Sequence, residues 1–273
     1  MAPAHAHGHV VTRHETAWDE RPHVDVSALR KVFGVGSTAH TVLGSVDFAV
    51  GRGEYVSIVG PSGSGKTTVL RCIAGLLVPT SGSITLDGVP VIGAPDRLAV
   101  VFQDYSRSLL PWLSIQSNVV LPLRGKGISA AERRCRAAES LEAVGLGDTL
   151  RHYPWQLSGG MQQRVAIARA LAYQPTALLM DEPFASVDAQ TRSDLQDLVL
   201  ALRKHFHMTV IAVTHDIDEA VYMSDRVIVL DGAPASVVQT VDVELGAIRD
   251  QITTKSDPRF AQLRAQVLRA VHS

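Results

Sequence analysis

The sequence has two cysteines, almost no net charge and no long hydrophobic run, and each shortage excludes a class of protein. The net charge is -1, from 26 basic and 27 acidic residues, so bulk electrostatics do not favour nucleic acid or anionic lipid as a partner. Cys72 and Cys135 lie far apart and lack the spacing of a metal site, which is typical of a reducing compartment.

Two further absences concern membranes. No apolar run approaches the roughly 18 residues that a membrane-spanning helix needs. The N-terminal segment also has no hydrophobic stretch of the signal-peptide type. We therefore expect a cytosolic chain, whose association with a membrane would come through a partner.

Apolar residues make up 46% of the 273 residues, enough for a substantial core in one large domain or two small ones. Residues 1–22 look like a tail, and His23 lies just beyond it. The alternating His5, His7 and His9 could bind a metal weakly, but a solvated flexible tail is the favoured interpretation. We assign this tail no function.

One stretch carries a phosphate-binding pattern, Gly60-Pro61-Ser62-Gly63-Ser64-Gly65-Lys66-Thr67-Thr68. It fits G-x-x-x-x-G-K-[ST], in which glycines let successive backbone N–H groups point at phosphates. Lys66 adds a charge for the β- and γ-phosphate oxygens, and the Thr67 hydroxyl can bind Mg²⁺. A β-rich run precedes the loop and a helical apolar pattern follows it, so we reject an ordinary glycine-rich turn.

Apolar patterning predicts the other elements. Predicted strands lie at 24–31, 42–50, 55–59, 84–86, 98–102, 177–181 and 210–214, with a last short strand at 226–230. Predicted helices lie at 67–74, 129–144, 190–206 and 258–272. The helical region at about 104–172 looks like an insert between strands.

Polar residues follow three of these apolar strands. Asp181 ends one strand and is the expected Mg²⁺ partner, and Glu182 beside it is placed to deprotonate an attacking water. The helix at 190–206 is a crossover that brings His215 to the same edge of the sheet. Gln103 is either a structural hydrogen-bonding residue or a group that reaches into the site to bind Mg²⁺ or water.

A second helix start resembles an anion site. Ser158 is a good N-cap, and Gly159 and Gly160 leave the first N–H groups of the next helix uncovered. A merely capped helix is the alternative. Two phosphate-type sites that cannot both bind one nucleotide within one domain indicate a site shared between two copies.

Together these residues resemble the nucleotide-binding subunit of ATP-binding-cassette transporters over about residues 24–240. The phosphate loop, Gln103, a signature at 157–160, the acidic pair and a switch histidine occur in the family's order. The segment Ala185-Ser186-Val187-Asp188 corresponds to the family's D-loop. Two departures, Met161 and Val187, stand where Gln and Leu are more usual and remove no chemical group on which the interpretation depends.

The resemblance implies an α/β fold of the P-loop NTPase class. This fold has a parallel sheet core, an N-terminal antiparallel β part and a helical subdomain at about 104–172, with the ATPase domain at 23–240 and a helical tail at 241–273. It also implies that two cassettes sandwich two ATP molecules head to tail. The implied partners are a second ATP-binding subunit, taken to be an identical chain, inner-membrane permease subunits and, indirectly, a solute-binding protein, with no nucleic acid. The chain would lie peripherally on the cytoplasmic face of the inner membrane.

The resemblance also assigns roles. Glu182, His215 and Gln103 are catalytic, and Thr67, Gln103 and Asp181 hold Mg²⁺. Phe33, which the residues alone leave evenly divided between adenine stacking and core packing, becomes the adenine-stacking residue. The full ATP-binding set is Phe33, Gly60, Pro61, Ser62, Gly63, Ser64, Gly65, Lys66, Thr67 and Thr68, with Ser158, Gly159 and Gly160 acting on the partner subunit's ATP.

The residues around the motifs look similar to those of the family branch that imports nitrate, sulfonates and taurine. Residues 101–103, 109–113 and 215–221 carry this likeness, and the 43 residues after Leu230 are too few for the regulatory β-domain of sugar-importer ATPases. Trp112 is a candidate contact for the permease, with a core tryptophan as the alternative.

Two competing functions remain. One is a soluble ATP switch acting on DNA or ribosomes, against which stand the single cassette and the lack of a heptad run or basic face. The other is a nucleotide sensor without hydrolysis, against which stand Glu182 and His215.

Overall fold

The computed structural model describes residues 21–104 and 108–272. The tail predicted at residues 1–22, with the metal-binding alternative for its histidines, lies outside this part of the chain except for its last two residues. His23 belongs to the folded domain, because it is buried and its Nδ1 lies 2.6 Å from Asp87 Oδ1.

The strands and helices follow the predicted order closely. The strands are β1 (Val24–Phe33), β2 (His40–Val50), β3 (Tyr55–Val59), β4 (Ser81–Leu86), β5 (Val89–Pro90), β6 (Leu98–Val101), β7 (Ala177–Asp181), β8 (Thr209–Val213), β9 (Arg226–Asp231) and β10 (Ala235–Asp242). The helices are α1 (Lys66–Ile73), α2 (Ile115–Val120), α3 (Ala130–Ala143), α4 (Gly159–Ala172), α5 (Ala189–Phe206), α6 (Ile217–Met223), α7 (Thr253–Ser256) and α8 (Pro258–Val271).

All these strands join one sheet in the order β5-β4-β1-β2-β10-β9-β3-β8-β7-β6. The five strands β9, β3, β8, β7 and β6 are parallel to one another, and β1, β2, β4 and β5 form the antiparallel part. Both predicted parts of the sheet are therefore present. They are not separate, because β10 pairs with β9 on one side and with β2 on the other.

The parallel strands are buried on both faces, which explains their continuous apolar sequence. On β3, Tyr55 and Val59 face the core that contains α4, α5, α6 and α8. Val56 and Ile58, which alternate with them, face the core that contains α1 and the antiparallel strands. The carboxyl ends of these strands are where the predicted polar residues lie.

One prediction about the sheet is wrong. The strand at 226–230 is not the last, because β10 follows it and extends to Asp242, two residues beyond the predicted domain boundary at 240. Only its first residue and Val241 are buried, and polar residues interrupt its sequence, so it lacks the continuous apolar run used to find the others.

The helical insert contains α2 and α3 and leads into α4. Ser114, Ser129 and Ser158 cap these three helices with their hydroxyl oxygens. The C-terminal helix α8 packs against α6, the helix that follows the switch histidine. Arg264 Nε on α8 lies 2.6 Å from Asp218 Oδ1 on α6.

Candidate nucleotide-hydrolysis site

The phosphate loop joins β3 to α1 at the centre of the sheet. Gly60 (φ 155°) and Gly65 (φ 80°) adopt backbone conformations that residues with a Cβ rarely reach. A Cβ on Gly60 would meet the Leu230 carbonyl oxygen, and one on Gly65 would lie 2.6 Å from Leu43 Cδ2. Glycine at these positions lets the loop curl tightly against β9 and β2.

Lys66 begins α1, and its side chain folds back over the loop. Its Nζ donates to the carbonyl oxygens of Gly60 (2.8 Å) and Pro61 (2.7 Å). An ammonium has three N–H donors, so one remains for a phosphate oxygen. Burial lowers the pKa of Lys66, partly offset by Glu182 and Asp181. A bound anion would therefore relieve the cost of burying this charge.

Thr67 and Asp181 form a pair of oxygen ligands. The Thr67 hydroxyl donates to Asp181 Oδ1 at 3.1 Å, across the gap between α1 and β7. Burial raises the pKa of Asp181, and Glu182 raises it further. A carboxylate and a hydroxyl are hard oxygen donors of the kind that Mg²⁺ prefers. The donor set fits magnesium, with phosphate oxygens and water completing the coordination.

Glu182 lies at the centre of a hydrogen-bonded group. Gln103 Nε2 donates to Glu182 Oε2 at 2.9 Å, and His215 Nδ1 lies 3.2 Å from Glu182 Oε1. The backbone of Glu182 adopts a positive φ of 44° and donates its N–H to Val213 on β8. Three strand ends therefore converge on one carboxylate, and Gln103 lies within hydrogen-bonding distance of it.

The signature segment lies at the start of α4. The Ser158 hydroxyl accepts from Met161 N at 3.3 Å, while Ser158 and Gly159 are exposed. A Cβ on Gly160 would press on Thr191 of α5, so glycine permits close approach there as well. The exposed N-terminal end of this helix can accept a negative group from outside the domain.

The exposure of Phe33 and of Trp112 decides whether each side chain packs in the core. Phe33 at the end of β1 is 42% exposed, and Lys31 Nζ lies 5.1 Å from the centre of its ring. Phe33 pairs with His40 at the start of β2, two residues before Val42, whose Cγ1 would lie 3.1 Å from a Cβ on Gly65. Core packing is therefore excluded, and Phe33 extends from the strand that pairs with β2, the strand beside the phosphate loop.

Trp112 is 70% exposed, so it is not a core tryptophan. The backbone around it is joined to the segment before the signature, because Ile115 N donates to the His152 carbonyl at 2.8 Å.

A cavity of about 50 Å³ next to Glu182 and His215 is lined by three residues that the sequence pattern did not indicate, Arg192, Asp216 and Glu219. Two signals were available. Arg192 lies in the first turn of α5, directly after the D-loop, and Glu219 interrupts the apolar pattern of α6. Neither signal distinguishes a surface charge from a buried one without the fold.

The fold and this site define a P-loop nucleotide hydrolase with a parallel sheet core. The family model described as ABC transporter matches residues 43–185. The nitrate transport protein NasD of Klebsiella oxytoca is 40% identical over 91% of this chain and 95% of its own length. The taurine import ATP-binding protein TauB of Yersinia pestis bv. Antiqua is 42% identical over 83% of this chain and 89% of its own length.

A solved structure of an ATP-binding cassette is also similar to this chain. A dimeric ATP-binding cassette in a post-hydrolysis state bound to ADP and Pi is 36% identical, with a TM-score of 0.70 over 81% of this chain and 99% of that one. The chain belongs to the ABC transporter family, as an ATP-binding subunit of the nitrate and taurine importer branch. It binds ATP, and its ATP hydrolysis is coupled to transport. No helix among residues 21–104 and 108–272 is long and apolar enough to cross a bilayer.

Proposed function

We propose that the chain supplies the energy for an importer of small anions, namely nitrate, taurine or aliphatic sulfonates. The observation that carries this proposal is its similarity over almost its whole length to proteins named for nitrate transport and taurine import. The residues in and around the motifs, at 101–103, 109–113 and 215–221, support the same branch of importers. The anion itself would be selected by other components of the importer.

In the proposed mechanism, the loop N–H groups and the free donor of Lys66 bind the β- and γ-phosphates. Thr67 and Asp181, with Gln103, would hold magnesium, which when bound neutralises charge that develops on the phosphates. The exposed ring of Phe33 stacks on adenine, since any aromatic ring offers a face to a base. The remaining residues of the phosphate loop hold its N–H groups, Lys66 and Thr67 in position.

Hydrolysis needs a water held in line with the γ-phosphate and a group that takes its proton. Glu182 is the proposed general base, because its carboxylate lies at the edge where the strands end and is oriented by two neighbours. The water oxygen forms a bond to phosphorus, the bond to ADP breaks, and the water proton passes to Glu182. His215 holds the carboxylate and stabilises the transferred phosphoryl group.

The proposed assembly is a pair of identical chains. The exposed Ser158 and Gly159 of one chain, together with Gly160, would bind the γ-phosphate held by the phosphate loop of the other. Trp112 is proposed to contact inner-membrane permease subunits, which in turn meet a solute-binding protein. This arrangement places the chain peripherally on the cytoplasmic face of the inner membrane.

A growth experiment tests the cargo and the catalytic role together. Deletion of the gene should abolish growth on taurine or an alkanesulfonate as sole sulfur source, or on nitrate as sole nitrogen source. The wild-type gene should restore growth, and Glu182→Gln should not, because its amide cannot accept the proton. In an ATPase assay this variant should lose about 10²-fold or more in turnover.

The possible outcomes separate the proposals. Normal growth of the deletion strain on all these sources, with loss of sugar uptake, would overturn the cargo. Restoration of growth by Glu182→Gln would overturn its role as the base. Normal uptake of every solute would favour the soluble ATP switch instead.

A further inference from the structure

A small cavity next to the Glu182 carboxylate is lined in part by groups that have no role in the proposed mechanism. Its volume is about 50 Å³, and it is lined in part by Glu182, His215, Arg192 and Glu219. A buried water needs roughly 10–15 Å³ of such volume and two to four polar partners. The cavity therefore has room for about three waters.

Two polar atoms in its wall are buried and lack a protein hydrogen-bond partner. They are Arg192 Nε and Glu219 Oε1. Glu219 is only 5% exposed, and burial raises its pKa to about 8, more than the hydrogen bond from Thr214 lowers it. Buried polar groups are almost always hydrogen bonded, so ordered water between these atoms is the expected solution.

Arg192 also connects two loops of the site. Its Nη1 lies 3.5 Å from Asp216 Oδ2, beside the switch histidine, and its Nη2 donates to the Val187 carbonyl in the D-loop at 3.4 Å. Asp216 in turn caps α6 by accepting from Glu219 N at 3.1 Å. The planar guanidinium can reach both loops at once, which a lysine ammonium cannot.

We propose that Arg192 is a positioning residue for ATP hydrolysis. It ties the D-loop to the turn that carries His215 and, together with Glu219, holds ordered water in the cavity behind Glu182. The inference rests on the proposed role of Glu182 as the base. Arg192 acts through the alignment of His215 with that carboxylate, not by contact with the substrate.

The test compares the same substitution at two arginines of α5. Arg203 also bridges two acceptors, Gly53 O at 2.8 Å and Asp225 Oδ2 at 2.5 Å, but it does not line the cavity. In the purified full-length chain, Arg192→Lys should lower kcat about tenfold while the affinity for ATP and the melting temperature change little. Arg203→Lys should lower the melting temperature and leave kcat unchanged.

Glu219 provides a second comparison. Glu219→Gln keeps the size and hydrogen-bonding capacity of a protonated carboxyl, so it should retain more turnover than Glu219→Ala. A high-resolution crystal structure should show water bridging Arg192 Nε and Glu219 Oε1.

Three results would overturn the proposal. The first is a wild-type kcat in Arg192→Lys. The second is a fall in the melting temperature of Arg192→Lys as large as that of Arg203→Lys, which would explain the lost activity by lost stability. The third is a cavity that contains no ordered water. Glu182→Gln is measured in parallel. If that variant hydrolyses ATP normally, the assignment of the base fails separately, because this outcome does not depend on Arg192.

Discussion

At the scale of single residues, the sequence predicts the groups proposed to bind the nucleotide better than the groups that surround them. Asp181 and Glu182 were predictable because parallel strands end at a common edge and both follow an apolar strand. Arg192 and Glu219 were not, because a charge on a helix is usually solvated, whereas in the fold Glu219 is buried and Arg192 is partly buried beside Asp216. Their contribution depends on burial, which a local pattern does not encode.

The stability of the protein should depend on the ionisation of Glu219. Its pKa rises from 4.5 to about 8 on burial, with Asp216 and Glu182 adding to the increase and Thr214 and Arg192 opposing it. Between these values the folded state keeps a proton that the unfolded state has released. The free energy of unfolding should therefore fall as the pH rises through this range, by up to about 1.4 kcal/mol per pH unit from this group.

Urea unfolding at pH 6, 7 and 8 without nucleotide measures this effect. Glu219→Gln removes the group, so its stability relative to the wild type should increase as the pH rises. The exposed Glu244→Gln is the matched control and should keep the wild-type slope. Parallel pH profiles for the wild type and Glu219→Gln would show that Glu219 does not titrate as proposed.

At the scale of elements, the sequence predicts the longer helices and the buried strands because their apolar periods are strong, whereas the short elements α6, α7 and β5 were not predicted. Boundaries differ from prediction by one to a few residues, as for α3, whose predicted range of 129–144 becomes Ala130–Ala143. The missed strand β10 is a different case, since only two of its eight residues are buried and its place depends partly on β2, which is distant in sequence. Local patterning cannot supply such pairings.

A contact between α4 and the catalytic turn gives an element-scale prediction. Gln163 on α4 is 0% exposed, and its Nε2 donates to the Pro183 carbonyl at 2.7 Å, directly after Glu182. Gln163→Leu should lower kcat several-fold, because the turn loses the bond that holds it to the signature helix. The cost in stability should be about 1 kcal/mol, the usual worth of one hydrogen bond.

Gln196→Leu on α5 is the matched control for this prediction, since Gln196 is equally buried but its side chain contacts Gln251. Steady-state ATPase assays and thermal melts of both variants measure the difference. Equal turnover in Gln163→Leu and the wild type would mean that α4 does not position the turn through this bond.

At the scale of the whole molecule, one chain presents two anion-binding features, the phosphate loop and the start of α4. Ser158 and Gly159 are exposed, and the similar cassette of known structure is a dimer bound to ADP and Pi. The sequence predicts this need for a second copy because one nucleotide cannot occupy two separate sites in one domain. It does not predict which solute is carried, because relatives that are about 40% identical are named for different solutes.

We therefore expect ATP to bring two copies together, with the helix dipole and N–H groups of each α4 facing the other chain's γ-phosphate. Glu182→Gln should trap this dimer by slowing hydrolysis, so light scattering should give a dimer with ATP and a monomer without it. Adding Ser158→Asp should abolish the dimer, because aspartate still caps the helix but places a negative charge opposite the phosphate. Ser129→Asp makes the same change at the cap of α3, where the Ser129 hydroxyl accepts from Glu132 N at 3.1 Å, and should leave the dimer intact. A monomer under every condition, with or without the permease, would contradict the shared site.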